Sequence, residues 1–558
     1  MMRKPSRHIL LEMLVNQGVK YVFGNPGTTE LPLMDGIQDY PQLNYILALQ
    51  EASAVAMADG YARASRKPSF VNLHIAAGLA NGISMLYNAF RGGTALVLTA
   101  GQSDTRMFME EPLLSGNLVE MCRQYSKWSA EVLHGKDVPT AIRRAFRTAS
   151  TPPTGPVFLS LPWDVLDEEI ELYLSPPSPV YSRVRPDLKA IEQGAGLLAK
   201  AKNPLMLIGD RVAQADAVPD AVKVAELLGA MVMALSYSEV NFPTGHRQFN
   251  GIVNVDSPTA REILRRHDVI LAVGCNLFTQ FLYVPQLFSG NEQVVHLDVN
   301  VGEIEKNIPV TVGVWADIKA GLEELYGALE GSMSQGERDE AKTRAKKIGE
   351  SKAQRREGFL ARVRENWDQR PIDPQRLFLE MKEVLPRDTI IASEAVSSGV
   401  ALFRAIDFNE PGTFFSWRGG ALGWGIGGAL GIKLAEPDCP VVSVVGDGSA
   451  MYSIQGLWTA AEYDLPVTYI ICNNRSYRIL KHFLVNYYFP ILGLKDRKSE
   501  YPGMNFFQHP LDCAAVAEGF GIQGFKVDSP EDLKPTLEQA LSLGKPSLVD
   551  VHIHPGDF

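Results

Sequence analysis

Cysteine is scarce in this chain of 558 residues: Cys122, Cys275, Cys439, Cys472 and Cys513 are odd in number and never in CxxC spacing. That excludes a disulfide framework and a cysteine zinc site, and it fits a reducing compartment such as the cytoplasm. Excess basic charge is also missing. Lys+Arg total 54 against 64 Asp+Glu, a net charge of −10, so no global positive field exists to hold nucleic-acid phosphates or an anionic membrane. Neither is expected as a partner. A clean apolar span is lacking too, because the longest uncharged stretch, Pro68 to Phe90, carries Asn72, His74, Asn81 and Asn88 and reads as a buried strand followed by a buried helix. The basic start, MMRKPSRHILLEML, is broken by Glu12 with no small-residue cleavage site after it, and reads as an amphipathic helix rather than a leader.

What is present is globular. Hydrophobic residues make up 46% and charged residues 21%, and at about 150 residues per domain the length suggests three to four domains. Apolar runs rich in β-branched residues alternate with helical patterns throughout, the signature of βαβ units. The first block, 1–175, supplies YVFG (21–24), NYILAL (44–49), SFVNLH (69–74), ALVLTAG (95–101) and PVFLSLP (156–162) as strands. A Pro- and Ser-rich stretch at 175–186 reads as a linker. The second block, 187–330, has PLMLIGD (204–210), VILAVG (269–274) and VVHLDV (294–299); a highly charged stretch over 331–370 reads as a solvated helical connection without a core face. The third, 371–558, has TIIAS (389–393), PVVSVVG (440–446), PVTYIIC (466–472) and PSLVDVHI (546–553). The expected fold class is α/β, with three doubly wound parallel-sheet domains.

The strand VVSVVG runs into Gly446-Asp447-Gly448-Ser449, and the next predicted strand ends at Asn473-Asn474. In a parallel βαβ unit both strand ends lie on one carboxyl edge, so Asp447 and Asn474 converge. One carboxylate, one amide oxygen and a backbone carbonyl suit a hard cation that takes its remaining ligands from a diphosphate. Glycines on either side of Asp447 let the backbone approach those phosphates. An ordinary tight turn with an Asp cap explains GDGS alone; the paired NN motif tips the balance. Gly423-Trp424-Gly425-Ile426-Gly427-Gly428 matches GxGxxG formally, leaving a NAD-dependent oxidoreductase as an alternative. However, the glycines at 423, 427 and 431 also share one helical face, which suits tight helix packing. Glu51 stands at the end of an apolar strand, ahead of a small-residue helix. It is either a dipole-favoured helix N-terminal acid or a carboxyl group placed for proton transfer.

GDG followed by NN at this spacing resembles the thiamine diphosphate motif of the pyruvate oxidase and decarboxylase superfamily. VFGNPGTTELP, ILALQEASAVAMADGYARASRKP, FVNLHIAAG, GDGSAMYSIQGLWTAAEYDLP and NNRSY resemble benzoylformate decarboxylases in particular, over essentially the whole chain. The resemblance implies an aminopyrimidine-binding first block, a central domain and a diphosphate-binding third block. It implies thiamine diphosphate and Mg²⁺ (or Ca²⁺) as cofactors, with Asp447, Asn474 and the carbonyl of Ser476 as metal ligands. Around the diphosphate it places Ser397, Ser398, Gly448, Ser449 and Tyr477. Glu51 becomes the activator of the aminopyrimidine, Gly420 presents a carbonyl to its amino group, and Leu422 props the cofactor into its V shape. Thr28 lies where a serine contacts the substrate carboxylate, and His74 is an acid–base group. A satisfied histidine at a strand end is the plain alternative for His74. Leu113, Leu114, Arg478, Ile479 and Phe483 join the implied substrate pocket. Glu51 would reach a cofactor held by another subunit, so a homodimer is the minimum and a homotetramer is expected.

The resemblance breaks in the middle block. Phe281 takes the place of the family's second active-site histidine, and no histidine lies within ten residues. That histidine type would protonate the carbanion/enamine left after CO₂ departs, so its loss opens a route in which the carbanion adds to an aldehyde. Arg478 and Ile479 stand where the family has smaller residues, suggesting a narrower or more anion-friendly site, with a surface charge as the plain reading of Arg478. HLDVNVGEIEKNIPV resembles acetolactate synthase and its acyl-CoA lyase relatives. The expected activity is thus decarboxylation or carboligation of a 2-oxo acid, with or without an aldehyde. An acetolactate synthase-like or 2-hydroxyacyl-CoA lyase-like reaction is the near alternative, and a non-catalytic regulatory homologue is a distant one.

Overall fold

A computed structural model describes residues 3–171, 176–253, 255, 258–279, 287–494 and 499–555. They form two compact units, one of Met1–Val180, Asp368–Ala405 and Ser416–Phe558, the other of Tyr181–Trp367 and Ile406–Phe415. Three parallel-sheet α/β domains make up the fold, one sheet of which lies in the second unit.

In the first unit, the first sheet runs in the order Asn44–Leu47, Tyr21–Asn25, Ser69–Leu73, Leu96–Gln102, Val157–Pro162, Trp128–Glu131, all parallel. Ser69–Leu73, Leu96–Gln102 and Val157–Pro162 are buried along their whole length, as strands covered by helices on both faces must be. Strand order reverses between Tyr21–Asn25 and Ser69–Leu73, which opens a crevice at their carboxyl ends. The third sheet repeats the plan: Ile390–Glu394, Val441–Gly446, Val467–Asn473, Ser547–His552 and Gln523–Val527 lie side by side and parallel. The uncharged stretch from Pro68 folds as expected, into Ser69–Leu73 and the helix Ile75–Gly92.

The glycine cluster serves a helix crossing. Trp424–Ala435 packs on Glu51–Ser65 so closely that a Cβ on Gly431 would fall on Met57 O, and one on Gly60 would fall on Gly428 O. Trp424 Nε1 donates to buried Asp59 Oδ2 at 2.7 Å across the same crossing. Of the formal dinucleotide motif, Gly425 and Gly428 lie inside this helix, Gly425 against Val445 and Glu394 and Gly428 under Gly60, so they serve close packing.

The second unit holds the central sheet, ordered Phe249–Ile252, Met231–Ala234, Leu205–Ile208, Val269–Val273, Gln293–Asp298, Val312–Trp315. At its carboxyl edge Arg211 Nη2 pairs with fully buried Asp298 at 2.7 Å. The charged stretch read as a solvated connection forms one helix, Gln335–Glu365, started by a Ser334/Glu337 capping box. It does carry a buried stripe: Ala341 and Ala345 are covered, and Lys352 Nζ donates to His246 O at 2.8 Å. Phe359 and Val363 are buried as well, and four buried residues in a helix of 31 are too sparse to stand out in a sequence this charged.

Candidate active site

In the first unit, the crevice of the first sheet collects polar groups. Tyr21–Asn25 feeds a tight 3₁₀ turn, Thr28–Glu30, while Ser69–Leu73 delivers His74 to the neighbouring edge. His74 Nδ1 lies 2.8 Å from Glu30 Oε2 and 3.2 Å from Thr29 Oγ1. Glu30 is buried and also accepts from Gly27 N and Gly101 N, each at 2.9 Å. Thr28 itself is exposed on the turn, and Thr29 is the threonine against the imidazole. Ile75, fully buried, has φ +34°; a β-branched residue in that region is strained, and such strain gathers at functional sites.

Glu51 opens the helix Glu51–Ser65, where Gln50 caps Ser53 N at 3.1 Å. Asn81 Nδ2 donates to Glu51 Oε2 at 3.0 Å, and a Cβ on Gly78 would sit 2.9 Å from Glu51 Oε1. The same helix, Ile75–Gly92, thus follows His74 and floors Glu51. Further along it, Asn88 clamps the Gly420–Leu422 loop, accepting from Ala421 N at 3.1 Å and donating to Ala421 O at 2.8 Å. Gly419, Gly420 and Gly423 have φ of +83°, +111° and +108°, a turn that only glycine makes without strain. Glu394 holds the far side of this turn, accepting from Gly423 N and Gly425 N at 2.7 Å each. Burial pushes its carboxyl up to about 7 despite these bonds.

On the third sheet, Asp447 follows Val441–Gly446 and is almost wholly buried. Burial pushes its carboxyl up to about 7, against backbone N–H donation from Gly448 and Arg475. Its Oδ2 is buried with no hydrogen-bond partner. Asn474 is brought alongside by Val467–Asn473; its Oδ1 accepts from Ser476 N at 3.0 Å and Ser476 Oγ at 3.1 Å, and its Nδ2 reaches Ser397 Oγ at 3.5 Å. Ser398 and Ser449 are buried nearby in the fold, Ser398 bonding Cys472. Tyr477 covers Gly448, where a Cβ would meet its ring at 2.6 Å. Arg475, with φ +56°, makes the sharp turn between Asn474 and Ser476. Arg478, Ile479 and Phe483 lie on the helix Arg478–Phe483, each half-buried. Leu113 and Leu114 are exposed on a loop after the turn Thr105–Glu110. Phe281 lies outside the described residues.

Comparison with known proteins decides what this arrangement belongs to. Family models of the thiamine pyrophosphate enzymes match residues 6–118 (N-terminal thiamine pyrophosphate-binding domain), 191–325 (central domain) and 395–551 (C-terminal thiamine pyrophosphate-binding domain). Benzoylformate decarboxylase of Pseudomonas aeruginosa is 32% identical over 547 residues, 97% of each chain. The chain belongs to the thiamine pyrophosphate enzyme family. A probable acetolactate synthase large subunit of Methanocaldococcus jannaschii is 27% identical, with 98% of this chain and 92% of that protein aligned. The crystal structure of benzoylformate decarboxylase from Polynucleobacter necessarius superimposes with a TM-score of 0.86 at 29% identity, covering 99% of both chains.

A thiamine pyrophosphate enzyme must hold a diphosphate, and the third-sheet edge fits one with its cation. Asp447 Oδ2 is a buried carboxylate oxygen without a partner, which is costly unless a ligand supplies one. Among the described residues no group of three or more His, Cys, Asp or Glu could hold a metal. A buried carboxyl oxygen without a partner, with the Asn474 amide on the neighbouring strand end, is a donor set that suits a hard divalent ion completed by phosphate oxygens. A glyoxylate carboligase of Escherichia coli O157:H7 is also similar, at 25% identity over 95% of this chain, and this chain is a carbon–carbon lyase or carboligase enzyme. Among the described residues no helix is long and apolar enough to cross a membrane. Two residues of weight escaped sequence reading, Glu30 and Glu394. Each looks like an ordinary acid next to a turn, and only the fold reveals the backbone donors gathered on it.

Proposed function

We propose that this enzyme decarboxylates an aryl 2-oxo acid of the benzoylformate type and adds the resulting acyl unit to an aldehyde when one is present. The orphaned Oδ2 of Asp447 carries the reading, because a buried, unpartnered carboxyl oxygen in the middle of a GDG turn is what a metal-diphosphate would use. Support for the substrate class comes from the full-length alignment with a protein named benzoylformate decarboxylase. Thiamine diphosphate, when bound, supplies the electron sink that accepts the pair released as CO₂ leaves. In this reading residues 371–558 hold the diphosphate. Asp447, Asn474 and the Ser476 carbonyl hold Mg²⁺, or Ca²⁺, while Gly448, Ser449, Ser397, Ser398 and Tyr477 enclose the phosphates. Residues 1–175 would hold the aminopyrimidine, with the Glu51 carboxyl as the group available to exchange a proton with it. Gly420 would offer its carbonyl as an acceptor to the cofactor, and Leu422 would pack against it. Thr28 would contact the substrate carboxylate, His74 would move a proton at the reacting centre, and Leu113, Leu114, Arg478, Ile479 and Phe483 would shape the pocket. A homodimer at least, and a homotetramer in full, would bring Glu51 to a neighbour's cofactor. Five free cysteines agree with a cytoplasmic setting.

A 2-oxo acid panel, with and without aldehyde acceptors, tests the reading by mass spectrometry and CO₂ release. Aryl 2-oxo acids turning over fastest supports it; no CO₂ from any 2-oxo acid overturns it. Phe281 favours carboligation as a second reading, since a proton donor is missing from sequence at that place; hydroxyketone outpacing simple aldehyde product would establish it.

A further inference from the structure

Both carboxylate oxygens of Glu30 are fully engaged. Oε2 accepts from Gly27 N at 2.9 Å and lies 2.8 Å from His74 Nδ1; Oε1 accepts from Gly101 N at 2.9 Å and from Thr29 Oγ1 at 2.8 Å. Two of these four partners are backbone N–H groups that can only donate, and the Thr29 proton is committed to Oε1. The set suits an ionised carboxylate, which is an acceptor only, so the contact to the imidazole calls for a hydrogen on Nδ1. Thr29 Oγ1 agrees: with its proton given to Glu30, it turns a lone pair toward Nδ1 at 3.2 Å. The ring has little freedom to turn away. Gly27 lies so close that a Cβ there would fall on the Nδ1 edge of the imidazole, and the backbone that carries His74 continues into the strained Ile75. Glu30 is 1% exposed and the His74 side chain 20%, so the bonded edge is sealed while part of the ring remains open.

The geometry points to Glu30 as the positioning residue of His74: it holds the imidazole as the Nδ1–H tautomer and leaves Nε2 as the atom that takes and returns the substrate's proton. The inference rests on the role proposed for His74 and names the atom through which it works. A proton moving from a substrate hydroxyl or carboxyl to Nε2 gives an imidazolium and a substrate anion. Nδ1–H stays bonded to Glu30 throughout, and the proton leaves again from Nε2. The buried carboxylate faces the positive charge while it exists, and is not itself protonated.

The test is ¹⁵N NMR of histidine-labelled holoenzyme about two pH units above the ordinary histidine pKa of ~6.5, with the His74 signals identified by their loss in His74→Asn. A protonated Nδ1 and an unprotonated Nε2 support the inference; the reverse tautomer overturns it, and this needs no altered Glu30. Glu30→Gln is expected to lose the Nδ1–H pattern and to lower kcat by about 10²-fold, the lower range of general acid–base assistance. Wild-type tautomer and wild-type kcat in Glu30→Gln would overturn the positioning role. His74→Ala separates the two readings. Unchanged turnover there would overturn proton transfer at His74, whereas loss of turnover together with the reverse tautomer would overturn only the assignment made to Glu30.

Discussion

The first and third sheets both gather polar groups at the carboxyl ends of their parallel strands, yet those groups are settled differently. At the first, Glu30, Thr29, His74, Gly27 and Gly101 satisfy one another around a single carboxylate. At the third, Asp447 accepts backbone bonds, from Gly448 and Arg475 among others, and still keeps one buried oxygen without a partner. The difference separates a site that is complete as folded from one that needs a ligand to be complete. A parallel sheet only provides the crevice; the donors delivered to it decide whether each buried oxygen there finds a partner within the protein.

Breaking the incomplete edge should have the largest effect. Asp447→Ala is expected to abolish Mg²⁺-dependent retention of thiamine diphosphate, read by assaying cofactor after gel filtration, and turnover with it; retention equal to wild type would show that the orphaned oxygen serves no metal. Next in size is Glu51→Gln, for which we expect cofactor binding by calorimetry to persist while kcat falls by about 10²- to 10⁴-fold. Gly431→Ala attacks the crossing that joins the two sheets' helices. Its Cβ would meet the Met57 carbonyl, so a stability loss at or above the usual overpacking range of about 1–3 kcal/mol is expected by thermal denaturation.

A smaller effect should appear in pH dependence. Glu394 titrates near 7 in the fold because it is buried, against about 4.3 in an unfolded chain. Between those values the folded state keeps a proton that the unfolded state releases. Stability is therefore highest below the unfolded value and declines as pH rises toward about 7, by at most about 1.4 kcal/mol per pH unit from this group. Denaturant midpoints across that window should slope less in Glu394→Gln than in the wild type. Asn81→Ala, which removes one bond to Glu51, should cost least. A loss of about 1 kcal/mol in activation free energy is expected from kcat/KM.

Long buried strands were plain in the sequence: FVNL, LVLTAG, VFLSLP and VVSVVG are largely apolar runs ending in turn residues. The short ones were not. Trp128–Glu131, Met231–Ala234, Val312–Trp315 and Gln523–Val527 are four or five residues long, and all but Met231–Ala234 stand at sheet edges. Half-exposed residues there interrupt the apolar signal. Among site residues, Asp447 and Asn474 were legible because a βαβ unit fixes where two strand ends meet. Glu51 was legible as a carboxyl group at a strand end. Glu30 was not, since TTELP reads as a helix start and nothing in it announces that Gly101, some seventy residues on, donates to the same carboxylate.

Local pattern alone determined the three α/β domains and the residue types at the GDG and NN turns, which only resemblance then identified as a thiamine pyrophosphate motif. These depend on periodicity and spacing along one stretch of chain. Tertiary structure decided which groups remain unsatisfied. Whether a buried oxygen finds a donor depends on atoms that strands from distant parts of the chain bring within about 3 Å, and no one-dimensional pattern records that distance.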